Sequence, residues 1–151
     1  LARLGRPLVV SGHSAGGHLA ASMLATDWRA LEASLPEAHV TAAYAISGLF
    51  DLRPLVGTSI NTALRLDEAS ARAASPMFWK SPTRGTLDAV VGANESAEYF
   101  RQSRTIADVW DAAGIATRFG TIPDANHFTV VAPLADPNSP MTLRLKQLAG
   151  R

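Results

Sequence analysis

The chain has 151 residues, 47% of them apolar and 18% charged, a mix and length that fit one domain with a buried core and argue against global disorder. Fourteen Lys and Arg against thirteen Asp and Glu leave a formal net charge of +1, and twelve of the fourteen are scattered arginines, which excludes a basic nucleic-acid stripe. The absence of cysteine removes disulfides, cysteine–zinc sites and thiol nucleophiles.

Residues 1–5 read as the end of a helix with Gly5 at its C′ position. Pro7-Leu8-Val9-Val10 is continuous and β-branched, as in a strand buried on both faces. A helix is expected over residues 15–25, with Leu19, Met23 and Leu24 on one face, then a short one over 27–35, stopped near Pro36. Residues 40–46 form the second strand. Residues 52–82 carry no strand signal, and within them 61–74 look helical up to Ser75-Pro76. A third strand over 87–91 closes at Gly92, and a long helix over 97–113 has Gly114 as its stop. Residues 117–122 are the fourth strand and 141–148 the last helix.

This alternation predicts an α/β fold with a mostly parallel sheet of about four strands flanked by helices. A buried first strand needs a neighbour on each side, and no earlier strand is visible. Residues 1–151 are therefore read as a single partial domain, the C-terminal portion of a larger one. The longest apolar stretch, Phe128 to Leu134, is interrupted by Thr129 and Pro133 and falls far short of the ~18 residues a span requires. With no span and no signal peptide in view, a cytoplasmic location is expected.

Gly12-His13-Ser14-Ala15-Gly16 fits G-x-S-x-G and lies between a predicted strand and a predicted helix, the context in which that motif is a nucleophile elbow. Gly12 and Gly16 let the backbones approach, and the sharp turn lifts Ser14 to a helix N-terminus, where the Ala15 N–H can donate to a developing oxyanion. A glycine-rich turn with a serine N-cap is the plainer reading.

A serine nucleophile needs a base and an orienting acid. Of four histidines, His13 adjoins Ser14 in sequence and is expected to point elsewhere. His18 lies on the following helix, expected to be packed or capping, and His39 has no partner nearby. His127 follows the fourth strand, at the end where such sheets hold their ligands. The acid should precede it in sequence. Glu95, just after the third strand, is favoured. Asp51 and Asp124 are substitutes, Asp88 lies within a strand, and Glu98 suits the dipole of the next helix.

The stretch Gly12-His13-Ser14-Ala15-Gly16-Gly17-His18-Leu19-Ala20 resembles the elbow of α/β-hydrolases of the kynurenine formamidase (arylformamidase) and hormone-sensitive-lipase-like esterase groups. Ser47-Gly48-Leu49-Phe50-Asp51-Leu52-Arg53-Pro54-Leu55, Thr58-Ser59-Ile60-Asn61, Ser75-Pro76, and Glu95 through Ser103 resemble the formamidase side, and His127-Phe128 resembles the family's histidine and following aromatic. The resemblance implies Ser14 as nucleophile, His127 as base and Glu95 as carboxylate. Many relatives carry Asp at that position, and their upstream His-Gly-Gly-type oxyanion loop has no counterpart here.

The expected reaction is acyl transfer to Ser14 followed by hydrolysis, with a small acyl amide or ester as substrate, of the N-formylkynurenine type if the formamidase likeness holds. A carboxylesterase with a wider acyl pocket uses the same groups, and an inactive fragment or scaffold is the alternative of another class. Phe50, Phe78, Trp79, Tyr99 and Phe128 could wall an apolar leaving group or belong to the core. No cofactor and no metal are expected, since no H-x-x-x-H or H-E-x-x-H pattern occurs and His13 and His18 stand five apart. A phosphate loop is disfavoured because neither the Walker lysine nor G-x-G-x-x-G is present. A homodimer is compatible with the sequence. Activity should fall as the His127 imidazole takes up a proton.

Overall fold

The computed structural model describes residues 8–150. The expected helix end over residues 1–5, and Pro7 of the first strand, lie outside them. Four strands, β1 (Val9–His13), β2 (Ala42–Ile46), β3 (Thr86–Gly92) and β4 (Ala116–Ile122), form one parallel sheet in the order β1-β2-β3-β4. The helices are α1 (Ala15–Ala25), α2 (Trp28–Leu31), α3 (Asn61–Leu64), α4 (Glu68–Ala73), α5 (Ala97–Ala112) and α6 (Pro140–Leu148).

Residues alternate along β2 and β3 between two cores, as a pleated strand requires. Ala43, Ala45, Leu87 and Ala89 pack with Ala20, Ala21 and Leu24 of α1 and Ile106 and Trp110 of α5. Tyr44, Ile46 and Val90 face the other way, onto Val130 and Met141 of α6. Small alanines in β2 let α1 sit close on one face, while the larger residues fill the other. All five residues of β2 are buried.

Three expectations change. β1 is half-buried instead of buried on both faces, because among the described residues it is paired only with β2, and it runs on to His13, so Ser11-Gly12-His13 are strand and not turn. The helix expected over 27–35 shrinks to Trp28–Leu31, which Asp27 caps by accepting from the Ala30 N–H. The helix expected over 61–74 breaks in two at Arg65, which is left-handed at φ 54°, and restarts at a capping box in which Asp67 and Ser70 exchange bonds. The Asn61 side chain fills the gap, accepting from the Leu66 N–H and donating to the Val56 and Leu66 carbonyls.

Candidate active site

Parallel strands end together, so whatever follows them gathers at one rim of the sheet. Ser14 follows β1, Ser47 follows β2, Glu95 follows β3 and His127 follows β4.

Ser14 sits at φ 56° and ψ −118°, a strained conformation for a residue with a Cβ, and it holds no cap on α1. Its Oγ instead faces His127 Nε2 at 3.1 Å, across 113 residues of sequence. The plain N-cap reading is thereby set aside. The Ser14 N–H is pinned to the Ile46 carbonyl at 2.9 Å, which ties the turn to the end of β2. A Cβ on Gly12 would fall 2.3 Å from the Gly16 carbonyl oxygen, so the bend needs glycine there. Gly16 is a correction: a Cβ on it would meet nothing within 4 Å. Gly12 alone needs to be glycine for that approach, and a second close approach falls at Gly17, whose added Cβ would stand 2.8 Å from Gly48 Cα. Ala15, the first residue of α1, has an N–H that no helix carbonyl can accept, and the residue is exposed at the rim.

His127 Nδ1 lies 2.8 Å from Glu95 Oε2. Glu95 is fully buried on its side chain, and its other oxygen accepts from Ser47 Oγ at 2.5 Å and from the Gly92 N–H at 2.8 Å. With the carboxylate accepting from Nδ1, Nε2 is the ring nitrogen left to accept from Ser14. The Asn126 side chain accepts from the Phe128 and Thr129 N–H groups and fixes the turn that carries the imidazole.

The other acids are elsewhere. Asp51 is buried against Arg53 and Arg101; the hydrogen bond from Arg53 holds its carboxyl below the usual range, against the pull of burial. Asp88 receives two hydrogen bonds from Arg144 of α6. Glu98 pairs with Arg101, and Asp124 is exposed on the turn before His127. His18 Nδ1–H donates to the Leu49 carbonyl at 2.8 Å, a packing role as expected. His39 meets Trp28 edge-on.

Sequence reasoning missed two neighbours, His13 and Ser47, and offered a third, Tyr99, only as an apolar wall or core residue. His13 does not point away: its ring lies 4.6 Å from that of His127. Strand alternation puts the residue before the turn on the site face, and this signal was readable. Tyr99 also stacks on the imidazole, at 4.5 Å, with its hydroxyl 3.4 Å from Nε2. Burial pushes the Tyr99 phenol up, the Ser14 hydroxyl beside it pulls the other way, and Glu95 adds to the rise. Ser47, the donor to Glu95, has only its place at the end of a strand to announce it. Of the remaining aromatics, Phe50 is core, Phe78 lies under Arg53 and Arg72, and Trp79 donates to the Ala73 carbonyl. Phe128 is 84% exposed beside His127.

Among the described residues no His, Asp and Glu cluster has the arrangement to hold a metal, and no helix is long and apolar enough to cross a membrane.

No family model matches the chain. The kynurenine formamidase of Danio rerio is 31% identical over 149 residues, 95% of this chain and 50% of that protein. That of Drosophila melanogaster is 30% identical, over 93% of this chain and 49% of its own length. The chain thus spans about half the length of the curated relatives it matches. Among solved structures, a candidate thioesterase from a Silicibacter species aligns with TM-score 0.78 at 34% identity, over 93% of this chain and 51% of that one. A truncated carbohydrate esterase from gut microbiota, 19% identical with TM-score 0.68 over 93% and 59% of the two chains, shares the fold. The chain is an α/β-hydrolase-fold protein whose sequence relatives are kynurenine formamidases.

Proposed function

We propose that the protein is a serine hydrolase that cleaves a small acyl group from an amine or alcohol, an arylformamidase-type reaction being the leading form. The carrying observation is the unbroken relay from Glu95 through His127 to Ser14, at 2.8 and 3.1 Å. In this reading His127 Nε2 takes the Ser14 proton as Oγ bonds to the substrate carbonyl carbon. The Ala15 N–H donates to the resulting oxyanion. The tetrahedral adduct collapses, its leaving heteroatom taking the proton from Nε2. Water then gives a proton to Nε2 as its oxygen bonds to the acyl carbon, and the second adduct collapses with Ser14 Oγ taking that proton back as the acid leaves.

The formamidase form draws on the kynurenine formamidase relatives and on exposed Phe128, an apolar surface beside the base for an aromatic leaving group. Cleavage of an ester or thioester is the second reading, favoured by the likeness to the candidate thioesterase.

The test is labelling by a fluorophosphonate, which should modify the protein and fail on Ser14→Ala. Turnover of N-formylkynurenine against short para-nitrophenyl esters then separates amidase from esterase. A protein that resists the probe and turns over neither substrate is a scaffold.

A further inference from the structure

The Tyr99 hydroxyl has no part in the reaction as written, yet after Ser14 Oγ it is the hydroxyl that reaches the atom that must hand a proton to the leaving group. Its oxygen is 3.4 Å from His127 Nε2, and the ring is held there by stacking at 4.5 Å and by its place in the first turn of α5. A phenol is protonated at neutral pH, and burial raises that of Tyr99 further from ionisation. It therefore keeps a donor and acceptor lone pairs at the same point. A heteroatom within hydrogen-bond reach of Nε2 on this side stands beside the phenolic oxygen as well.

Amide and ester leaving groups differ at that point. When Oγ adds to an amide carbonyl, the nitrogen becomes pyramidal and must aim its new lone pair at the Nε2 proton. The N–H of a secondary amide is then turned to another side and needs an acceptor. An ester oxygen carries no hydrogen and needs none. We propose that Tyr99 is a specificity-determining residue that favours secondary amides over esters by accepting the N–H of the scissile bond. This rests on the serine-hydrolase reading above. The proton bookkeeping is unchanged: His127 supplies the leaving nitrogen's proton, and Tyr99 keeps its own.

Tyr99→Phe tests this while keeping the ring that stacks on His127. The substrates are para-nitroformanilide, its N-methyl derivative, which has no N–H to donate, and para-nitrophenyl formate. The amide-to-ester ratio of kcat/KM should fall about three- to tenfold in the variant, the worth of one neutral hydrogen bond. The penalty that N-methylation imposes on the wild-type protein should shrink by the same factor. A role confined to stacking or to holding His127 would lower all three substrates alike, and that result overturns the proposal while leaving the hydrolase reading intact. An unchanged ratio does the same. If the wild-type protein neither reacts with a fluorophosphonate nor turns over any of the three, the hydrolase reading itself fails.

Discussion

Glu95 owes its orientation to three donors and not to its place in the chain. The His127 N–H meets one carboxylate oxygen, while Ser47 and the Gly92 N–H share the other. A buried carboxylate with a donor removed is free to turn, and a hydrogen bond to a charged group contributes about 1.5–3 kcal/mol. Ser47→Ala should therefore lower kcat in the proposed reaction about tenfold or more with little change in KM, measured by steady-state kinetics. An unaltered kcat would mean that the Gly92 N–H alone holds Glu95. Much of this site is readable from residue types: G-x-S-x-G after a strand, an acid after the third strand and a histidine after the fourth. Ser47 is not, because a serine at a strand end looks the same whether it solvates a loop or supports a carboxylate.

At the scale of the elements, the order of strands and helices is legible because buried parallel strands and amphipathic helices leave opposite periodicities. The break within 61–74 is harder to see. No proline or glycine marks Arg65, whose left-handed backbone is bracketed by the Asn61 side chain bonding to Leu66, although Asp67 three residues before Ser70 does announce a fresh start. The turn after β4 depends on a contact of this kind. It passes over the end of β3, where the Asn94 N–H donates to the Ala125 carbonyl, and a Cβ on Gly92 would fall 2.4 Å from that carbonyl oxygen. Gly92→Ala should lift the turn and with it His127. Since a misplacement of about 1 Å can cost about a hundredfold in rate, kcat/KM should fall by that order. Chemical denaturation should show a loss of only about 1–3 kcal/mol, the usual cost of overpacking.

Across the whole molecule, the face that carries α6 is set by a polar pair inside an apolar layer. Arg144 grips Asp88 of β3 at 2.7 and 2.9 Å, and Tyr44 of β2 lies beside them, 3% exposed. Burial, with Asp88 adding to it, raises the Tyr44 phenol from 10.0 to about 12. Between those values the unfolded chain ionises and the folded one does not, so stability is intact below the lower value and drains away towards the higher. Urea midpoints should fall across that window by the equivalent of about 2–3 kcal/mol, and Tyr44→Phe should flatten the decline. The sheet imposes one more condition. Ser14 and His127 issue from β1 and β4, the two outer members of the order β1-β2-β3-β4, and three inter-strand spacings amount to about 14 Å. The imidazole meets the hydroxyl because the turn after β4 passes back over the end of β3. Its gap to the hydroxyl thus measures the pitch of the sheet beneath, and a ligand or mutation that flattened β2 against β3 would uncouple the pair without touching either residue.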